Sequence, residues 1–272
     1  MKKYNTYSLS VMSGKGGVGK TNLCLNLAYA LYANYKSAIL MDCDLGLANL
    51  DVLLGISPEK NMQDLLQGEA DPGEIVLSLE KNGLDLLPAA SGVPELVELD
   101  EDLQGVLLEK LNRLFSAYEF LLLDLGAGIN NSVLSFARMT HERIVIITPE
   151  PTSLTDSYAL IKVLSSKYGL RHFYLLVNMV DSDREAKLGF ERMKVASEKF
   201  LGVTCSFLGA VHNDPNLPLA VRDQRAFIKN YPDSRASKDI RTIADRILAL
   251  RGARAEDLDR APVLSLGNDN VY

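Results

Sequence analysis

Short apolar runs alternate with amphipathic segments along most of the chain. The runs lie at 7–12, 37–41, 84–87, 120–123, 143–148, 173–177 and 204–211 and are typical of buried strands. Between most of them, apolar residues recur at helical spacing, most clearly over 22–33, 103–117, 131–139, 153–168, 184–200 and 237–250. This alternation predicts an α/β fold with a mostly parallel sheet, right-handed crossovers, and helices on both faces.

The pattern stops after Leu250. Residues 251–272 mix charged residues with Gly and Pro and show little helical periodicity. We therefore predict one domain over 1–250 and a flexible C-terminal tail over 251–272. The last predicted helix carries an apolar stripe, which we expect to pack on the sheet rather than to bind a membrane. The stripe consists of Ile240, Ile243, Ala244, Ile247 and Leu248.

Composition narrows the class of protein. The 272 residues are 47% hydrophobic and 24% charged, as in an ordinary globular domain, and the net charge of -6 gives no general reason to expect nucleic-acid binding. There is no run of signal-peptide type after Met1 and no apolar stretch near eighteen residues, so we expect a soluble, cytoplasmic protein.

The cysteines and histidines show no ligand spacing. Cys24, Cys43 and Cys205 are odd in number and widely separated in apolar segments, which favours buried thiols in a reducing compartment. The three histidines are interpreted as surface or loop residues. They are His141, His172 and His212.

The chemistry begins at residues 14–21, which fit the phosphate-loop pattern G-x-x-x-x-G-K-[ST] with Gly14, Gly19, Lys20 and Thr21. A strand precedes the loop and a helix follows it, so backbone N–H groups and a helix dipole converge on one point. This context favours a nucleotide site over a simple glycine turn. Lys20 would neutralise the β and γ phosphates, and the Thr21 hydroxyl would ligate Mg²⁺. The predicted nucleotide contacts in the loop are Gly14, Lys15, Gly16, Gly17, Val18, Gly19, Lys20, Thr21 and Asn22.

Three aspartates at predicted strand ends should converge on this loop. Asp42 and Asp44 close the second strand, and Asp124 closes the run 120–123. A carboxylate fixed by a buried strand suits a metal shell, although alone it is more often a cap or turn residue. We assign Asp42 and Asp124 to magnesium and Asp44 to the attacking water, with the reverse roles of Asp42 and Asp44 left open.

Two further residues are candidates for the base. Asn178 follows a strand and its amide could pair with an adenine edge, or it could cap the next turn. The segment 211–215, which contains Asp214, follows the last strand and could contribute contacts to the same base.

Lys15 is a second loop lysine, and it identifies a family. The loop resembles the deviant Walker A motif of MinD/ParA ATPases, and residues 41–51 look like their switch I. The resemblance implies the P-loop NTPase (SIMIBI, MinD-like) fold and an ATP-bound homodimer in which Lys15 reaches the nucleotide of the other subunit. Lys15, Lys20 and Asp44 would then be the catalytic residues of a Mg²⁺-dependent ATPase.

Within the family, several stretches are most similar to the FlhG (FleN) group of flagellar regulators. They are 86–92, 124–129 (switch II), 148–162 and 214–236. The resemblance implies control of flagellar number or placement. It implies partners such as an FlhF-like GTPase, the flagellar C-ring or transcription regulators, and peripheral contact with the inner face of the cell membrane. The N-terminal segment with which FlhG proteins stimulate FlhF, and a basic amphipathic membrane helix, have no counterpart in these residues.

Two alternatives belong to other functional classes. A ParA-type chromosome or plasmid partitioning ATPase would need a basic surface for DNA. The net charge of -6 gives no general reason to expect such a surface. The available residues are Arg222, Arg225, Lys229, Arg235, Lys238 and Arg241. A nitrogenase-like reductase or an amidoligase would need cysteines or a glutaminase domain that this chain does not offer.

Overall fold

The computed structural model describes residues 5–44, 49–68, 70–89, 101–258 and 262–265. The strands in these residues are β1 Tyr7–Ser13, β2 Ala38–Cys43, β3 Leu77–Glu80, β4 Leu84–Leu87, β5 Phe120–Ala127, β6 Glu142–Ile147, β7 His172–Val180 and β8 Thr204–His212. The α-helices are α1 Lys20–Ala33, α2 Leu50–Leu54, α3 Met62–Leu66, α4 Glu101–Phe115, α5 Asn131–Met139, α6 Pro151–Tyr168, α7 Asp183–Leu201, α8 Leu217–Arg222, α9 Phe227–Asn230, α10 Arg235–Ala253 and α11 Ala255–Leu258. Pro72–Glu74 forms a short 3-10 turn.

The strands form one sheet in the order β3-β4-β2-β5-β1-β6-β7-β8. Every pair is parallel except β3 with β4, so the predicted α/β architecture is confirmed. The strands are apolar on both sides because both faces are covered. One face packs against α4, α5, α6 and α7, and the other against α1 and α10. The phosphate loop leaves β1 in the middle of this sheet, as such folds place their ligands.

Helix α10, which carries the apolar stripe, packs on the sheet as predicted. Ile240, Ile243, Ala244 and Ile247 are buried, and Leu248 packs beside them. The stripe therefore belongs to the core and is not available to a membrane.

The described part of the expected tail is structured. Helix α10 continues to Ala253, beyond the Leu250 boundary, and α11 follows it. Val263 and Leu264 are fully buried, and Ser8 Oγ donates a 2.8 Å hydrogen bond to Val263 O. Their burial against the domain differs from the flexible tail that we expected. Residues 259–261 and 266–272 of that tail lie outside the described residues.

The three cysteines are buried and free, as predicted. The histidine prediction is wrong for His212, which is buried at the end of β8 with its Nδ1 2.7 Å from Asp239 Oδ2. Helix α10 covers this strand end, which sequence spacing alone does not reveal.

Candidate functional site

The phosphate loop is shaped by three glycines. Gly17 and Gly19 have φ values of 77° and 83°, in the left-handed region that side chains disfavour. A Cβ on Gly14 would lie 2.2 Å from the backbone carbon of Asp156, so α6 packs directly on the loop. Helix α1 begins at Lys20, immediately after the loop. The loop thus presents its backbone at the N-terminus of a helix, an arrangement that binds phosphate.

Lys20 and Asp124 form a buried ion pair beneath the loop. The distance between Lys20 Nζ and Asp124 Oδ1 is 2.7 Å, and the two side chains are 8% and 1% exposed. Burial raises the pKa of Asp124, while the charge and the hydrogen bond of the Lys20 ammonium oppose that rise. The second carboxylate oxygen, Oδ2, is buried without a hydrogen-bond partner. A buried carboxylate oxygen in this condition is a natural ligand for a hard cation.

Asp42 lies on the neighbouring strand, in register with Asp124. Its Oδ1 accepts a hydrogen bond from Asp44 N at 3.0 Å, and its Oδ2 accepts from Asn49 N at 3.0 Å and Leu50 N at 3.1 Å. Burial, and then the charge of Asp124, raise the pKa of Asp42 to about 6. Asp42 therefore holds the backbone on both sides of 45–48, the part of switch I outside the described residues. These contacts differ from the magnesium role that we predicted for it.

Asp44 lies beside switch II. A Cβ built on Gly126 would be 3.7 Å from Asp44 Oδ1, and Asp44 lines the same cleft as Lys20 and Thr21. The structure thus brings Asp44 to the phosphate side of the site, where an attacking water would be oriented.

Lys15 and Lys20, the two lysines of the loop, have different partners. The Nζ of Lys15 lies 2.5 Å from Glu150 Oε2 and 2.9 Å from Thr152 Oγ1, at the start of α6. Lys15 and Lys20 therefore contact different elements although both belong to one loop. Sequence reasoning missed Glu150, which lies three residues beyond the end of β6 and so lacks the strand-end position that pointed to the aspartates.

Asn178 supports the loop from below. Its Nδ2 donates a 2.8 Å hydrogen bond to Val18 O, and a Cβ on Gly19 would lie 2.6 Å from that nitrogen. Asp214 turns the chain into α8, because its Oδ1 accepts from Asn216 N at 3.0 Å. Both residues line a hollow of about 200 Å³ beside α1, next to Asn22. The two base candidates thus line one hollow, while Asn178 also anchors the loop.

The loop opens into a cleft of about 850 Å³. One wall comes from α2, with Val52 and Leu53, and the other from α8 and the residues after it. The size is within the range of small-molecule sites.

Comparison of the sequence with protein families identifies the family to which this site belongs. The ParA family model, described as NUBPL iron-transfer P-loop NTPase, matches residues 5–248. The chain belongs to the ParA family. The MinD/ParA resemblance inferred from the loop is therefore confirmed.

Two curated relatives of this ParA-family protein are associated by name with regulation or flagella. Antiactivator FleN of Pseudomonas aeruginosa is 37% identical over 239 residues, which cover 88% of this chain and 85% of FleN. Flagellum site-determining protein YlxH of Helicobacter pylori is 35% identical over 256 residues, which cover 91% and 83% of the two chains.

Solved structures of MinD share the fold. MinD of Pyrococcus horikoshii, complexed with Mg-ADP, superimposes with a TM-score of 0.72 at 25% identity, over 92% of this chain and 98% of that one. The MinC:MinD complex of Aquifex aeolicus gives 0.73 at 24% identity, over 89% and 96%. Across the described part of the ParA-family chain, no helix is both long and apolar enough to cross a membrane.

Proposed function

We propose that this protein is a Mg²⁺-dependent ATPase whose ATP-bound form is a homodimer, and that it controls flagellar number or placement. The observation that carries the ATPase proposal is the Lys20–Asp124 pair below the phosphate loop, with Asp124 Oδ2 buried and unpaired. The family membership supports the nucleotide class, and the FleN and YlxH similarities support the cellular role.

The residues present fit a magnesium nucleotide. Thr21 and Asp124 would hold the ion, Thr21 through its hydroxyl and Asp124 through the unpaired oxygen or a bound water. The ion would neutralise charge on the β and γ phosphates during transfer. In our proposal Asp42 does not bind the ion directly. It fixes the backbone of Asp44 and Asn49 by accepting their N–H groups.

The protein's own groups supply positioning and charge. The backbone of 14–19 would bind the phosphates, and Lys20 would neutralise them from beneath. Asp44 would orient the water in line with the γ phosphate, next to Gly126. Asn178 and Asp214 would surround the base in the hollow beside Asn22.

Lys15 would act across a dimer interface. Its ammonium pairs with Glu150, at a partly exposed position, rather than with the buried carboxylate that serves Lys20. A cation near the surface can complete the charge clamp on a second subunit's nucleotide by exchanging its carboxylate partner for phosphate. ATP would then hold two protomers together, and hydrolysis would release them.

The other functional classes have less support. Among the basic residues considered for DNA, Lys229 pairs with Glu80, and Arg235 lies 3.6 Å from Asp183. For iron transfer, the three cysteines of the sequence are separately buried, and the described residues contain no group of three or more His, Cys, Asp or Glu side chains that could hold a metal.

The proposal is tested in two steps. Light scattering with ATP and Mg²⁺ should show a dimer of the Asp44→Ala variant, in which hydrolysis is blocked, and a monomer of Lys20→Ala. An Asp44→Ala protein that stays monomeric with ATP would contradict the dimer. Expression in a flagellated bacterium lacking its FleN-like protein should then restore flagellar number, whereas Lys20→Ala should not.

A further inference from the structure

Gln224 joins the two walls of the nucleotide cleft. Its Nε2 donates a hydrogen bond of 2.9 Å to Val52 O, and both residues line the cleft. Val52 lies in α2, just after switch I, and Gln224 follows α8. The contact therefore links segments that are 172 residues apart in the sequence.

The sheet order shows what this contact crosses. Strand β2, which leads to α2, lies two positions to one side of β1, and β8, which leads to α8, lies three positions to the other side. A contact between the segments that follow β2 and β8 must span the end of β1, where the phosphate loop begins. Gln224 and Val52 thus close a bridge over the central strand of the site.

The bridge lies between the C-terminal ends of α8 and α2. Gln224 has a φ of 52°, in the left-handed region that residues other than glycine uncommonly adopt. Gly55, at the end of α2, has a φ of 63°, and a Cβ there would lie 2.7 Å from Gln224 Oε1. Gly55 thus leaves the space that the glutamine amide fills. Both positive φ values belong to the left-handed residues that end α8 and α2, as is common at helix C-termini, and the Gln224 amide occupies the space beside Gly55.

The bridge is also connected to switch I. Leu50, which begins α2, donates its backbone N–H to Asp42 Oδ2 at 3.1 Å. Movement of the switch I backbone would therefore displace Val52 relative to Gln224. The hydrogen bond of Gln224 ties the position of switch I to the opposite wall.

We propose that Gln224 is a positioning residue that fastens the two walls of the cleft and thereby slows the release of bound nucleotide. This inference rests on the proposed function, since it requires nucleotide in the cleft. The bridge limits how far α2 and the segment after α8 can separate. A nucleotide whose release requires the two walls to separate would have to break the Gln224–Val52 hydrogen bond.

Gln224→Gly separates this role from folding. Glycine accepts the positive φ, so the variant should unfold at the same temperature as the original protein or higher. It lacks the amide, so release of N-methylanthraniloyl-ADP, chased with excess ADP in a stopped-flow fluorimeter, should become about two- to tenfold faster, the factor equivalent to one hydrogen bond. Gln224→Glu, which places a carboxylate oxygen against Val52 O, should also accelerate release.

Asp223→Ala is the matched control, because Asp223 is the exposed neighbour of Gln224 and does not line the cleft. Its release rate should equal that of the original protein. Unchanged release in both Gln224 variants, with normal binding by the original protein, would overturn the bridge alone. Failure of the original protein to bind the labelled nucleotide would overturn the proposed function and the bridge with it.

Discussion

The ammonium of Lys15 is paired with the carboxylate of Glu150, with 2.5 Å between Nζ and Oε2. This pair holds Lys15 at the start of α6, while Lys20 forms its ion pair with Asp124 beneath the loop. Because the two lysines have separate partners, their substitutions should have separable effects.

Lys15→Ala should keep monomeric ATP binding within about threefold of the original value, because an exposed ion pair contributes little free energy. ATP-dependent dimerisation should be lost, since the cation that would reach the second nucleotide is gone. Fluorescence titration with labelled ATP and light scattering measure the two properties. Lys20→Ala is the contrasting variant and should lose binding itself. If Lys15→Ala abolishes binding, Lys15 acts within its own subunit.

Asp124→Asn should lower Mg²⁺-dependent ATP turnover by about a hundredfold or more, because it removes the carboxylate that we assign to the metal shell. It also leaves the buried Lys20 ammonium without its counter-charge, which should lower the free energy of unfolding by about 3 kcal/mol. Phosphate release and urea denaturation report the two effects. Turnover close to that of the original protein would remove Asp124 from the metal site.

Asn178→Ala should weaken nucleotide binding by about tenfold, because the loop loses the hydrogen bond between Asn178 Nδ2 and Val18 O. Comparing ATP with GTP distinguishes the two interpretations of this residue. Equal weakening for both nucleotides indicates loop anchoring, whereas a loss confined to ATP indicates base recognition. Asn34→Ala is the control, since Asn34 is exposed at the far end of α1, outside this hollow, and its Nδ2 donates to Ala30 O at 3.1 Å.

His141 should make the fold sensitive to acid. Burial lowers the pKa of His141 from 6.5 to about 4, and its Nδ1 accepts from Ser8 N at 3.1 Å, which requires the unprotonated nitrogen. Between these pH values the unfolded chain binds the proton more readily, so the stabilisation is complete above pH 6.5 and is lost as the pH falls towards 4. The loss should amount to roughly 3 kcal/mol. Urea denaturation of His141→Gln should show a smaller decline over that range, and an equal decline would contradict this assignment.

Leu264→Ala should lower the free energy of unfolding by about 3 kcal/mol, as for other buried leucines. Leu264 is 1% exposed, and its backbone makes two hydrogen bonds to Asn112, at 2.8 and 3.0 Å. Asn112→Ala should cost about 2 kcal/mol by removing both. Urea denaturation tests both variants. Wild-type stability in each would mean that 262–265 does not anchor the C-terminal segment in solution.

The sequence was informative where a local pattern determines the structure. The loop 14–21 and the strand-end aspartates could be predicted because their chemistry is confined to a few adjacent residues. Strand β3 was missed because it is short, alternates Leu with polar residues, and pairs antiparallel at the edge of the sheet. Hydrophobic periodicity is weak in such a strand.

The remaining features depend on contacts that hydrophobic periodicity does not reveal. Asp42 was expected at magnesium, but its two oxygens accept backbone N–H groups from Asp44, Asn49 and Leu50. Gln224 reaches Val52 only after the sheet has brought opposite halves of the chain together. The partners of Asp42 lie within eight residues of it but depend on the path of the loop, whereas the partner of Gln224 depends on tertiary packing.

The Lys20–Asp124 pair gives the loop cation a counter-ion within the fold. A magnesium nucleotide would engage both charges at once, with phosphate oxygens replacing the carboxylate at Lys20 while the metal takes up Asp124. The number of opposite-charge contacts is then conserved during loading. Binding at this site should therefore be an exchange of ion-pair partners. Nucleotide without metal should compete poorly, because it would leave Asp124 buried without a counter-charge.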